Sequence, residues 1–311
     1  MSYNELWRRL AQIYDAGEAK AIARMVYEER FGLTLPDIFI GKDTQLSADH
    51  QAELEKIAER LLSHEPVQQV LGYATFCGRR YKVNSNVLTP RPETEELCQW
   101  VIEEVRDKRQ EVRDLSKEDD EFSVLDIGTG SGCIAITLAA AWPEAQVTAW
   151  DISEKALRTA HQNALLHHVR VNFEKVDILT PHSSLLTPHS SLLTPHSSLL
   201  TPHSSLLTPH LSLLISNPPY ICRREAEQME RNVLDYEPHE ALFVPDNDPL
   251  LFYRAIADFG RQSLKPGGQL FFEINPLYVT ELEDLLRSMS YHDIESRHDA
   301  YGKSRMIRAT R

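Results

Sequence analysis

Residues 217–220 read Asn-Pro-Pro-Tyr and follow directly on the apolar run Leu-Leu-Ile-Ser. An amide nitrogen, or an exocyclic amine on a base, is a poor nucleophile because its lone pair is delocalised. Two acceptors could hold its two N–H groups and turn the lone pair toward an incoming methyl group: the Asn217 side-chain oxygen and the Pro218 carbonyl. Pro218 and Pro219 fix φ, so the carbonyl is aimed before anything binds. The Tyr220 ring offers a face for a planar group. A methylated amide sheds its proton unaided, which suits a tetrad without His, Asp or Glu. The competing reading is a rigid turn and nothing more.

A second constellation lies upstream. In Val-Leu-Asp-Ile-Gly-Thr-Gly-Ser-Gly, Asp126 sits at a strand end, and Gly128, Gly130 and Gly132 precede a helix. Glycines there let the backbone approach a ligand and aim the helix N-terminus at it. The spacing is GxGxG rather than GxGxxG, and no GK[ST] follows to make a phosphate loop. The next strand ends in Asp151, placed to hold vicinal ribose hydroxyls. An adenosine-containing ligand follows, with nicotinamide and S-adenosylmethionine both open at this point. The glycines could instead be turn residues and Asp151 a helix cap beside Ser153. Against a nicotinamide dehydrogenase, the sequence pairs no general acid with the site. The methyl-transfer chemistry at Asn217 favours S-adenosylmethionine.

These groups need rigid elements to hold them. Leu6, Leu10, Ile13 and Tyr14 recur at helical spacing, as do Ala21, Ile22, Met25 and Val26. A further helix opens on Ser47 and stops before Pro66, giving a small helical bundle. Residues 73–90 alternate polar with apolar or aromatic residues, which predicts a hairpin or extended linker. A long helix begins near Pro92. From Phe122 onward strands and helices alternate, which implies a parallel sheet covered on both faces. The spacing predicts a helix from Pro249 that ends at the Gly267–Gly268 pair, then a strand. The predicted boundaries are 1–73 for a helical domain, 74–92 for the linker and 93–311 for an α/β domain.

From Leu179 the heptad Leu-Thr-Pro-His-Ser-Ser-Leu occurs four times, and a fifth copy carries Leu211 in place of Ser, so the block spans 179–213. A proline in every unit excludes a coiled coil. The histidines at 182, 189, 196, 203 and 210 lack a fixed ligand geometry, so no metal is expected. The block is expected to be a mobile surface excursion.

Composition sets outer limits. The chain has 311 residues, a net charge of −13 and 42% hydrophobic residues, enough for two domains with a real core. The acidic balance argues against broad non-specific attraction to nucleic acid or anionic membrane. The four cysteines form no CxxC pair and read as reduced thiols. The N-terminus shows no signal-peptide pattern, and the longest apolar stretch is too short for a span. A cytoplasmic protein is expected.

Several motifs occur together and in order: LTPRPETEEL, VLDIGTGSGCIAI, WDISEKAL, ISNPPYI, YEPHEALF, LKPGGQLFFEI and HDAYGKSRMI. In these the chain resembles the class I S-adenosylmethionine methyltransferases, and more narrowly the release factor glutamine methyltransferases, the PrmC/HemK family. The resemblance covers nearly everything outside the heptad block. It implies a Rossmann-like, mostly parallel seven-stranded sheet with a helical N-terminal domain that helps to recognise a protein substrate. It implies methylation of the side-chain amide (N5) of the glutamine in the GGQ loop of class 1 peptide chain release factors, leaving S-adenosylhomocysteine. Catalytic residues would be Asn217, Pro218 and Tyr220. Cofactor contacts would fall on Gly128, Thr129, Gly130, Ser131, Gly132, Asp151, Asp177, Ile178 and Asn217. Substrate contacts would fall on Asn217, Pro218, Pro219 and Tyr220. In PRPETE, Arg91 and Glu93 would add substrate contacts by shaping the mouth of the amide pocket; the competing reading is a stiff linker and a helix whose first turn favours Glu93, Glu95 and Glu96. Ile178 stands where the family often has an aromatic residue, and Ser212 where it usually has Asp. No direct nucleic-acid binding and no membrane association are expected. Two other readings stay open: an adenine-N6 methyltransferase acting on DNA or RNA, and a non-catalytic release-factor-binding protein.

Overall fold

The computed structural model describes residues 1–113, 122–180 and 211–311. Five helices open the chain: α1 (Tyr3–Leu10), α2 (Ala16–Phe31), α3 (Leu35–Phe39), α4 (Ala48–Leu62) and α5 (Val67–Leu71). Their ends carry the expected chemistry. Ser2 and Glu5 form a capping box on α1, Asp15 caps α2, and Gly32 closes α2 in the left-handed region at φ 65°. Leu6, Leu10, Ile22, Val26, Leu54 and Leu61 close a core of their own. The buried stripe of α2 is Ala19, Ile22, Ala23, Val26 and Tyr27. Ala21 and Met25, which share the predicted spacing, face outward.

Strands β1 (Tyr73–Phe76) and β2 (Arg79–Lys82) form an antiparallel hairpin. Its two-residue turn, Cys77–Gly78, has φ of 46° and 71°, the pattern that matches strand twist. Asn163 ties this hairpin to the α/β layer. Its Oδ1 accepts from the Lys82 amide at 2.7 Å, and its Nδ2 donates to the Ser131 carbonyl at 2.8 Å.

The remainder is built on one sheet. Helix α6 (Pro92–Arg113) leads to β3 (Ser123–Ile127), α7 (Cys133–Ala141), β4 (Gln146–Asp151), α8 (Glu154–His167) and β5 (Asn172–Lys175). Then come β6 (Leu211–Ser216), the short pair β7 (Ile221–Cys222) and β8 (Phe243–Val244), β9 (Leu264–Glu273), β10 (His292–His298) and β11 (Ser304–Thr310). The seven-stranded order is β10-β11-β9-β6-β3-β4-β5. All pairings from β9 to β5 are parallel, and β11 runs antiparallel to both its neighbours. Every residue of β3 and β6 is buried, as expected for strands covered on both faces. Alternate residues feed two cores: Val124, Leu213 and Phe271 pack toward α6 and α7. Leu125, Leu214 and Phe272 pack toward the helices Leu251–Ser263 and Val279–Ser288.

One boundary differs from the sequence reading. The helix Leu251–Ser263 ends before the glycine pair, and β9 begins at Leu264. The pairing with β6 slips from Leu211↔Leu264 to Leu213↔Gln269, so Lys265–Gly268 form a bulge. A Cβ on Gly268 would lie 2.8 Å from the Lys265 carbonyl oxygen, which explains the glycine there. The heptad block is outside the described residues from 181 to 210; its last residues, Leu211–Leu213, belong to β6. Ser212, where a family Asp was expected, accepts a hydrogen bond from the Ser123 amide at 3.3 Å. Among the described residues no helix is long and apolar enough to cross a membrane.

Candidate active site

Strand order changes direction between β3 and β6, and a crevice opens there at the C-terminal strand ends. Register decides which residues meet. Ile127 pairs with Trp150 on one side and Ser216 on the other, and Ser216 pairs with Phe272. The next residues along these four strands are Gly128, Asp151, Asn217 and Glu273, which therefore stand in a row. Two short contacts hold the strand ends: the Ser216 hydroxyl donates to the Ile127 carbonyl at 2.6 Å, and the Gly128 amide to the Trp150 carbonyl at 2.8 Å.

A cavity of about 310 Å³ lies over this row, at the low end of the range for small-ligand sites. Gly128, Gly130, Asp151, Asp177, Ile178, Asn217, Pro218 and Pro219 all line it. Gly128 and Gly130 adopt φ of 76° and 55°, so the turn needs glycine. The Asp151 carboxylate accepts from the Gly130 and Ser153 amides, each at 2.8 Å. Each oxygen keeps a lone pair for a further donor. Burial raises the Asp151 pKa, and those amide bonds oppose the rise. Ser153, not Asp151, caps α8 by accepting from the Ala156 amide.

Thr129, Ser131 and Gly132 are not among the cavity-lining residues. Thr129 and Ser131 are buried beneath the turn, where the Thr129 hydroxyl donates to Asp126 Oδ2 at 2.6 Å. Gly132 permits close helix packing, since a Cβ there would meet Ile136 Cδ1 at 2.9 Å and Ala160 Cβ at 3.0 Å. Asp126 is fully buried, its Oδ1 has no partner among the described residues, and burial pushes its pKa up to about 7.

The cavity has walls that sequence reasoning missed. Asn86, Val87 and Leu88, just past the hairpin, supply one side. Phe243 and Phe252 supply aromatic faces, which bears on the position of Ile178: it is itself buried, and aromatic surface reaches the cavity from elsewhere in the chain.

A second cavity, about 190 Å³, shares Leu88, Asn217, Pro218 and Ala241 with the first and is lined also by Tyr220, Arg91 and Glu273. The Asn217–Pro218 segment is thus a common wall. The Asn217 Nδ2 donates to Thr94 Oγ1 at 3.2 Å, Thr94 Oγ1 donates to Glu273 Oε2 at 2.5 Å, and Tyr220 OH donates to Glu273 Oε1 at 3.0 Å. Burial raises the pKa of Glu273 against these two hydrogen bonds, and burial likewise drives the Tyr220 phenol well above its usual value. Asn275 Nδ2 donates to the Tyr220 carbonyl at 3.0 Å and fixes that backbone. The Pro218 carbonyl takes part in no backbone hydrogen bond among the described residues.

Arg91 pairs with the buried Glu237 at 2.7 Å and lines the second cavity. It also lines a third cavity of about 250 Å³, between Tyr14 in the α1–α2 turn and Met25 of α2 on one side and Val233 and Glu237 on the other. Glu93 lies on the first turn of α6, near enough for its charge to raise the Glu273 pKa, but lines none of these cavities. Among the described residues no cluster of His, Cys, Asp and Glu could hold a metal ion; the heptad histidines fall outside them.

A parallel sheet with one reversed strand, a glycine turn on its first strand and an acidic residue ending the next define the α/β methyltransferase class. A family model described as a methyltransferase domain matches residues 124–189, and one described as the PrmC N-terminal domain matches residues 4–72. The chain is 41% identical over 302 residues to a release factor glutamine methyltransferase of Bacteroides thetaiotaomicron, covering 97% of this chain and 96% of that one. It is 37% identical to the protein of that name from Flavobacterium psychrophilum, with 96% and 94% covered. It is 31% identical to the one from Streptococcus pneumoniae, with 96% and 97% covered. The chain belongs to the release factor glutamine methyltransferase family.

Proposed function

We propose that this protein methylates the N5 side-chain nitrogen of the glutamine in the GGQ loop of class 1 peptide chain release factors, with S-adenosylmethionine as donor. The observation that carries this reading is the wall shared by the two cavities, Asn217–Pro218, with the Asn217 amide already held from behind by Thr94. The larger cavity suits the donor: Asp151 would take the ribose hydroxyls, Gly128 and Gly130 would let the backbone come close, and Asp177 and Ile178 would flank the adenine. Thr129, Ser131 and Gly132 would support that turn from below.

The smaller cavity would take the glutamine side chain. Asn217 Oδ1 and the Pro218 carbonyl would accept its two N–H groups, Pro219 would stiffen the pair, and Tyr220 would pack against the planar amide. When bound, S-adenosylmethionine supplies the methyl: its S–C bond breaks as the N–C bond forms, and the surplus amide proton leaves to solvent. The chain's own contribution is positioning, which removes the rotational freedom of the amide. Arg91, held by Glu237, would shape the mouth of this pocket, with Glu93 beside it. Residues 1–73 would serve recognition of the protein substrate, 74–92 linkage and 93–311 catalysis.

The test is mass spectrometry of a class 1 release factor after incubation with the protein and donor. One added methyl on the GGQ glutamine, with none on DNA or RNA, supports the reading. Transfer to adenine, or release-factor binding without transfer, overturns it.

A further inference from the structure

We propose that Thr94 and Glu273 set which way the Asn217 amide faces, and thereby make the site select a neutral carboxamide over a carboxylate. The inference rests on the reading that Asn217 receives the acceptor amide. It concerns two residues that never face the donor cavity.

With Glu273 ionised, both its oxygens act as acceptors, one from Thr94 at 2.5 Å and one from Tyr220 at 3.0 Å, and these two bonds oppose the rise in pKa that burial causes. Thr94 has a single hydroxyl proton, and it is spent on Glu273. Only lone pairs remain on Thr94 Oγ1, so it can meet the Asn217 amide only by accepting, and it accepts from Nδ2 at 3.2 Å. A reversed Asn217 would set Oδ1 against those lone pairs with no proton between them. Thr94 is 3% exposed and Glu273 is 2% exposed, so bulk water is not at hand to exchange partners. The acceptor character of a buried carboxylate is thus passed through one hydroxyl to the common wall, where it presents Oδ1.

An outward Oδ1, beside the Pro218 carbonyl, attracts the N–H groups of a carboxamide and opposes the oxygens of a carboxylate. The two positioning residues come from far apart in the chain. Thr94 is in the first turn of α6, and Glu273 ends β9 next to Asn217 through the Ser216↔Phe272 pairing.

Thr94→Val removes the hydroxyl at nearly constant volume and frees Asn217 to turn. The full-length protein is measured against two full-length release factors, one natural and one with its acceptor glutamine replaced by glutamate. The unsubstituted enzyme should bind the glutamine form about tenfold or more tightly than the glutamate form. In Thr94→Val that preference should fall to within about threefold, and kcat for the glutamine form should drop about tenfold or more. S-adenosylhomocysteine affinity should stay unchanged. Thr94→Ser, which restores the hydroxyl, should restore both preference and rate. A purely structural role would weaken the two release factors equally and leave their ratio intact; that result overturns the inference. Should Thr94→Val fail to bind S-adenosylhomocysteine, Thr94→Ala carries the same test. Failure of the unsubstituted enzyme to methylate the glutamine form would instead overturn the functional reading, and the inference with it.

Discussion

Replacing Asp151 with asparagine removes one charged acceptor from the donor cavity while keeping its size. In the structure one carboxylate oxygen accepts from the Gly130 amide and the other from the Ser153 amide, both at 2.8 Å. Asparagine can satisfy only one of them, and its NH2 then faces the other N–H. That mismatch exists with or without ligand, so it lowers stability rather than affinity. On the proposed assignment, affinity would change through the ribose hydroxyls, which would lose an ionised partner. A hydrogen bond to a charged group contributes about 1.5–3 kcal/mol. At about 1.4 kcal/mol per tenfold, the dissociation constant should rise about 10- to 150-fold. Isothermal titration with S-adenosylhomocysteine measures this without turnover. The hydroxyls need the ionised carboxylate, whose pKa burial has raised, so affinity of the unsubstituted protein should fall as pH drops through that raised value. Asp151→Asn should lose this pH dependence. A dissociation constant within about threefold of the unsubstituted value would refute the ribose assignment.

Asp126 is buried with a pKa near 7 against an ordinary 3.8, so the native state holds its proton more tightly than the unfolded chain. Its contribution is complete below about pH 4 and is lost as pH rises through about 7. Asp126→Asn keeps the Thr129 and Ala135 bonds at Oδ2 and should gain up to about 4 kcal/mol relative to the unsubstituted protein between pH 4 and 8. Urea denaturation at both pH values measures it, and a constant difference would contradict the burial argument. Excising three of the five heptads should alter loop closure by about 1 kcal/mol or less and leave methyl transfer intact. An inactive deletion would show that the block contributes to the reaction.

The parts of the site legible in the sequence are those encoded locally. Gly128, Gly130 and Asp151 announce themselves by their place after apolar runs, and Asn217–Tyr220 by an odd local chemistry. The hairpin and the alternation of strands and helices were legible for the same reason. Thr94, Glu237 and Glu273 were not, although each lies inside a recognisable motif. Their roles arise from strand register and from packing between elements more than a hundred residues apart, which spacing along the chain does not encode. Asn163 and Phe252 were missed because packing between separate elements, not local spacing, brings them into place. Helix α2 shows a different limit. Apolar spacing pointed to Ala21, Ile22, Met25 and Val26, and packing against α1 and α5 buries Ala19 and Ala23 in place of Ala21 and Met25.

The central claim is that Asn217 acts by holding the acceptor amide, and Asn217→Ala tests it most directly. Single-turnover methyl transfer to a class 1 release factor is measured beside the dissociation constant for S-adenosylhomocysteine. Loss of positioning predicts a rate lower by about a hundredfold with donor-site affinity within a few-fold of the unsubstituted protein. Equal losses in both, or an undiminished rate, would contradict the account.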